Sequence, residues 1–336
     1  MTTHSILLFA LFGLAYGVIL QRSGFCFSLA AFELFYLRSR DAVNGVMAGL
    51  LVATLGFGAI TLARHHVGLP TTPHLLVLPA GFGTVFGGAL FGLGMTIAGM
   101  CAVGTLQRLG EGYGLAWAVF AGVLVGAALY PFQPLLFRLG SLDAPARSLA
   151  DSIGPLLGYA LTLLAIAITW TILLRPRRAS PTPLPPLPVR LRSWLTPALL
   201  GGAALGLLNT AQMAVTVPWT AGYPLALIPS LLTSAPAATL GSVAPPLALN
   251  AGLVLGAALS SLQQKQLRLT CPRRSRDILI PLLGGILMGW GIRAAHACNI
   301  GGFFSAIPSL ALSGWLYLAG LLPGAWLGTK VVARLR

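Results

Sequence analysis

A chain of 336 residues that is 56% hydrophobic and only 8% charged, with a mean hydropathy of +0.85, is too apolar for a water-soluble domain, where about a quarter of residues carry charge. It reads as an all-α integral membrane protein. The formal charge of +15, from 21 Lys and Arg against 6 Asp and Glu, would suggest nucleic acid in a soluble protein, but no RNA- or DNA-binding motif accompanies it; here it reports topology, since basic loops stay cytoplasmic beside anionic lipid headgroups.

The first apolar run, MTTHSILLFALFGLAYGVIL, lacks a basic leader and a small-residue cleavage site, so it predicts a retained membrane helix near 5–20. Further helices are predicted near 42–64, 80–97, 114–133, 153–175, 193–210, 243–262, 277–295 and 311–330, which makes nine crossings. Each approaches the roughly 20 residues that a hydrocarbon core requires. The densest basic stretches are 37–40, 175–192, 265–277 and 330–336. Placing all four in the cytoplasm puts the N-terminus, His65, His66 and the 134–152 loop in the periplasm, and the C-terminus in the cytoplasm. The proline-rich stretch 176–192 reads as an extended cytoplasmic linker. It divides a first half with a connecting helix, 1–175, from a second half, 193–336.

Between the spans lie four stretches too short or too broken to cross: 21–36, 98–110, 211–240 and 296–309. Non-helical backbone at membrane depth is tolerated only where protein or a water-filled cavity surrounds it. These stretches are therefore candidate pore linings.

Two of them are related. GGALFGLGMTIAGMCAVG (87–104) and GGILMGWGIRAAHACNIG (284–301) align without a gap and match at eight of eighteen positions, Cys101 and Cys298 among them. The topology runs the two helices in opposite directions, which predicts an inverted, pseudo-two-fold repeat with its substrate site near the bilayer midplane. Glycines four apart, such as Gly88 and Gly92 or Gly285 and Gly289, offer flat faces for close helix packing. Those beside the cysteines, Gly99, Gly104, Gly301 and Gly302, are expected to take positive φ and let one helix stop and another begin. The first amides of such short helices form an anion site without a basic side chain. A third cysteine, Cys26 in LQRSGFCFS, follows the first span; aligning Gly13 and Gly17 with Gly202 and Gly206 places Val215 opposite it.

Three thiols beside helix breaks are the candidate site, and Asn299 follows one of them directly. Cys271, in a basic loop, reads as an incidental cytosolic thiol. No Cys-x-x-Cys pair serves disulfide exchange, and the cysteines and histidines have no metal-ligand spacing. No cofactor is expected. Arg22 and Arg293 are candidates for anion attraction, an ionisable group at membrane depth being a functional signal. Glu33 and Glu111 read as neutralising nearby arginines, and His296 either polarises Cys298 or packs between helices.

The motifs GLGMTIAGMCAVGTLQRLGEG (92–112), HACNIGGFFSAIPSLALSGW (296–315) and LQRSGFCFSLAAF (20–32) resemble the YeeE/YedE family of bacterial inner-membrane proteins, specifically its thiosulfate-transporting branch. The resemblance covers nearly the whole chain, and Cys26, Cys101 and Cys298 match the family's motif cysteines. It implies thiosulfate uptake across the cytoplasmic membrane, an hourglass-shaped body with cysteines at a central constriction, and a small cytosolic sulfur-carrier partner of the TusA type. The chain departs from the pattern at Met100 and Ala297, where the family often has glycine, and carries no fused sulfur-carrier domain. Other branches are linked to selenium or other sulfur compounds, so those substrates stay open.

Thiosulfate is a dianion with a soft terminal sulfur. A path for it needs an anion-friendly field that does not trap it, and thiols, as weak donors and acceptors, can hold the sulfur loosely enough to release it. On this reading Cys26, Cys101, Cys298, Gly99, Gly104, Asn299 and Gly301 bind the substrate through a non-covalent S–H relay. The rival class is a membrane thiol sulfurtransferase, against which the lack of a paired cysteine motif and of a clear general base argues.

Overall fold

The computed structural model describes residues 3–37, 39–68, 75–130, 146, 148–174, 196–232, 240–270 and 275–335. Among these the chain is mainly helical, with isolated β-bridges such as Tyr113 with Thr270 and no strands. In chain order the helices are α1 (Thr3–Ser23), α2 (Phe27–Phe35), α3 (Asp41–His66), α4 (Phe82–Ala98), α5 (Ala102–Gly110), α6 (Gly114–Leu129), α7 (Leu149–Ile153), α8 (Pro155–Leu174), α9 (Pro197–Val215), α10 (Gly222–Leu232), α11 (Leu240–Gln263), α12 (Ser275–Ala295), a π-helical segment π1 (Ile300–Ser305) and α13 (Leu312–Leu335). Each expected crossing has a helix. Eight helices are long and apolar enough to span a membrane, and α6 is shorter at 16 residues. The linker 176–192 and Cys271 lie outside the described residues.

The pattern long, short, long, long, short, long occurs twice, as α1 to α6 and as α9 to α13 with π1 as the second short element. Glycines explain which helices meet. On α4 and α12, a Cβ added at Gly87 would lie 2.6 Å from the Gly291 carbonyl, and one at Gly284 would lie 2.7 Å from the Gly94 carbonyl. These contacts exchange on swapping the two motifs, and they pair the start of each helix with the end of the other. Antiparallel packing of equivalent residues is what a two-fold axis across the helices generates.

The outer pairs follow the same rule. Gly13 and Gly17 of α1 meet Leu249 and Leu253 of α11, as Gly202 and Gly206 of α9 meet Gly45 and Gly49 of α3; Gly88 and Gly92 of α4 meet Tyr317 and Leu321 of α13, as Gly285 and Gly289 of α12 meet Val119 and Val123 of α6. In each pair the residue numbers rise together, so these helices run parallel. Without a hydrophobic drive between lipid-solvated helices, such backbone contact supplies the association through van der Waals packing. Helix α8 stands outside the duplicated set and leans on α3 through hydrogen bonds from Trp170 Nε1 to Asn44 Oδ1 (3.2 Å) and between the Tyr159 and Thr61 hydroxyls (3.1 Å).

Candidate functional site

Each long central helix ends in a left-handed residue. Gly99, at φ 73°, caps α4, and His296, at φ 56°, stands at the equivalent place after α12. That reverses the chain and returns it toward the middle of the molecule. Glycine takes this conformation freely, and histidine is one of the residues that tolerates it. Of the glycines expected to break helices here, Gly99 alone has positive φ: Gly104, Gly301 and Gly302 sit inside helical segments. Gly302 is instead a packing residue, since an added Cβ would meet the Tyr317 ring at 2.7 Å. Gly301 is buried with Thr220 and Leu76 as its neighbours.

Two residues past each stop stands a cysteine. Cys101 is extended and caps α5, its sulfur accepting a hydrogen bond from the Gly104 N–H at 3.4 Å. Cys298 precedes π1, but its sulfur accepts from the Gly222 N–H at 3.2 Å, the first amide of α10. The approach is tight, for a Cβ on Gly222 would stand 2.5 Å from the Cys298 Cβ and 3.0 Å from its sulfur. Cys26 is the extended residue before α2, and its side chain makes no capping hydrogen bond. Cys101 and Cys298 are buried, Cys26 half-buried. The Cys101 thiol lies within electrostatic reach of both others.

The position equivalent to Cys26, immediately before the second short helix, is Ala221. Val215 closes α9, and the linker between α9 and α10 is longer than that between α1 and α2, which defeats a fixed-offset alignment. This longer linker is extended backbone at membrane depth, and side chains satisfy it. Asn209 Oδ1 accepts from the Trp219 N–H (2.9 Å), the Ser305 hydroxyl donates to the Trp219 carbonyl (2.8 Å) and the Asn250 amide donates to the Ala221 carbonyl (2.9 Å). Such internal pairing is the condition for irregular backbone in a membrane.

Asn299 is buried beside Cys298, where its amide donates to Met95 Sδ (3.0 Å) and its carbonyl oxygen accepts from the Tyr317 hydroxyl (3.3 Å). Tyr317 lies within electrostatic reach of both Cys101 and Cys298. Ser28, near the head of α2, donates to the Met95 carbonyl at 3.3 Å. Phe27 stands edge-on to Phe303 (centroids 5.5 Å apart) and to Phe304 (5.8 Å), fixing α2 against π1. Beside this junction an apolar cavity of about 150 Å³ has Met95 and Asn299 in its wall.

The charged candidates lie elsewhere. Arg22 is exposed, and its guanidinium donates to Gln263 Oε1 (2.9 Å) and Ser260 (3.4 Å) at the end of α11. Arg293 sits over the Tyr130 ring at 5.6 Å. Glu33 is buried, and among the described residues it accepts from the Ala42 (2.8 Å) and Val43 (3.2 Å) amides and the Ser39 hydroxyl (2.9 Å), capping α3. Carboxylates favour that end of a helix. Sequence reasoning missed Gly222, Met95 and Tyr317. Asn209 and Asn250, amides within apolar helices, were the legible signal for the linker network.

A family model described as sulphur transport matches residues 22–327. Thiosulfate transporter TsuA of Spirochaeta thermophila is 28% identical over 341 residues, covering 94% of this chain and 96% of that protein. Thiosulfate transporter TsuA of Escherichia coli is 24% identical over 348 residues, covering 95% and 92%. The probable transporter YedE of Escherichia coli is 27% identical over 161 residues, or 46% of this chain and 37% of that protein.

Proposed function

Because the chain belongs to the sulphur transport family, a family of multi-pass membrane proteins by its apolar helices, we propose that it takes up thiosulfate across the bacterial cytoplasmic membrane by a non-covalent relay between thiols. The observation that carries this reading is that the two buried motif sulfurs, of Cys101 and Cys298, each accept a hydrogen bond from a backbone amide, with Cys101 within electrostatic reach of both Cys26 and Cys298. An amide N–H on the sulfur occupies its acceptor side and fixes its direction. The S–H proton is then left to point at a passing anion. A thiol is a weak donor, so three in series bind the soft terminal sulfur in turn without trapping it, the balance that conduction requires. Cys26, half-buried and uncapped, is the accessible end of the series.

Of the positive charges, Arg22 is engaged by Gln263 at the end of α11 and Arg293 lies over the Tyr130 ring. Gly99, Gly104, Asn299 and Gly301 act here by shaping and holding the cysteine turns. The basic stretches orient the chain with its N-terminus and His65–His66 periplasmic and its C-terminus cytoplasmic, among anionic lipid headgroups. A small cytosolic sulfur carrier of the TusA type receives the delivered sulfur compound. The two relatives aligned over more than nine-tenths of their length are both thiosulfate transporters, which supports this choice of substrate.

Uptake of radiolabelled thiosulfate into proteoliposomes tests the reading. The expected result is saturable accumulation of intact thiosulfate. Sulfite release without accumulation would replace transport with sulfur transfer, and accumulation of selenium compounds in place of thiosulfate would reassign the substrate.

A further inference from the structure

Behind the Cys298 turn lie two hydrogen-bond donors with nothing to donate to. Tyr16 of α1 and Trp219 of the linker before α10 are both fully buried, with their rings stacked at 3.8 Å and 14° between planes. Neither the Tyr16 hydroxyl nor the Trp219 Nε1–H has a hydrogen-bond partner among the described residues. A buried polar group left unsatisfied costs about 1–3 kcal/mol, and in native proteins such groups are filled by a partner, water or ion.

The placement is rigid. Both backbone groups of Trp219 are already committed, its N–H to Asn209 and its carbonyl to Ser305, and its fully buried ring is stacked on Tyr16. Three residues on, Gly222 donates its N–H to the Cys298 sulfur. The donor pair and the thiol are thus joined by a short stretch of chain in which Trp219, Ala221 and Gly222 are hydrogen-bonded. Indole donates only and a phenol hydroxyl donates readily, so the missing partner is an acceptor. Ring stacking places the two donors on neighbouring faces of one aromatic pair. Asn250 Oδ1 is also without a hydrogen-bond partner among the described residues.

We propose that Tyr16 and Trp219 form a binding station for a tetrahedral oxyanion, the sulfonate end of thiosulfate, while Cys298 takes the terminal sulfur. The proposal rests on the transport reading for the identity of the ion and adds to it an orientation: the oxygens are held by neutral donors and the soft sulfur by a thiol. Neutral donors bind a dianion without the fixed counter-charge that would hold it too long. The station belongs to the second half of the molecule, because Leu205 on α9 is the counterpart of Tyr16 in the glycine register that pairs Gly13 with Gly202, and offers no donor.

Tryptophan emission of the purified protein, titrated at constant ionic strength with sodium sulfate, thiosulfate and chloride, tests the station directly. Sulfate and thiosulfate are expected to change the emission and chloride to leave it unchanged, with the change lost in Trp219→Phe. Tyr16→Phe, which keeps the stacked ring and removes only the hydroxyl, is expected to weaken both oxyanions about ten-fold. Cys298→Ala should weaken thiosulfate toward the affinity of sulfate and leave sulfate as it was. No emission change with either oxyanion, a change that chloride reproduces, or a change that survives both Trp219→Phe and Tyr16→Phe would overturn the proposal. Oxyanion binding in a protein that fails to accumulate thiosulfate would leave the station standing and remove the transport reading.

Discussion

In both halves a long glycine-faced helix ends in a left-handed residue, Gly99 or His296, and a buried cysteine follows two residues later, yet the groups around the two thiols differ. Cys101 is capped by an amide of its own helix, from Gly104. Cys298 is capped by the first amide of another helix, from Gly222, and has beside it the chain of Asn299, Met95 and Tyr317. The residues equivalent to those three are Ala102, Ile292 and Val119, which form no such chain. The glycine contacts of the two halves correspond, while the polar groups lie on one side. Under the proposed function, such asymmetric side chains would give the two ends of an asymmetric anion different partners.

The sharpest way to break this comparison is at the two capping glycines. Gly222→Ala is expected to lower thiosulfate uptake more than about ten-fold, because the new methyl overlaps Cys298 and overpacking costs about 1–3 kcal/mol. Gly104→Ala should stay within about two-fold, since its nearest neighbours would be at 3.7 Å. Similar losses from the two substitutions would mean that the thiols are held alike.

The duplicated frame makes the opposite demand. Gly87→Ala and Gly284→Ala press on equivalent backbone, and each should destabilise the purified protein by about 1–3 kcal/mol, measured by thermal unfolding in detergent. Unequal losses would break the two-fold relation at its centre.

How much of this was legible follows from the range of each interaction. Apolar spans and the paired cysteine motifs are local patterns, and the helices fall where hydropathy puts them. The Gly222–Cys298 bond joins residues 76 apart in sequence, and the Asn299–Met95 bond joins residues 204 apart; no spacing rule reaches that far. Glycines were over-read as helix breakers because composition cannot separate a glycine that bends, such as Gly99, from one that makes room, such as Gly302. Arginines near a cysteine in sequence were read as near it in space, but Arg22 lies on the last turn of α1 and turns to α11.

Smaller effects sharpen the picture. Tyr317→Phe removes one hydrogen bond to Asn299 and should reduce uptake about three- to ten-fold, the worth of a buried neutral bond. Arg22→Gln should have the least effect on uptake, below about two-fold, because the side chain is exposed and its shorter hydrogen bond goes to the exposed Gln263; a large loss would return Arg22 to the path.

The central claim is that the thiols themselves carry the anion. Uptake of radiolabelled thiosulfate by proteoliposomes bearing the Cys101→Ala, Cys298→Ala double variant, with matched protein incorporation, measures it most directly. Uptake at the level of empty liposomes is the predicted result. Uptake equal to that of the unmodified protein would contradict the account, leaving both cysteines as packing residues and the backbone amides as the anion's only partners.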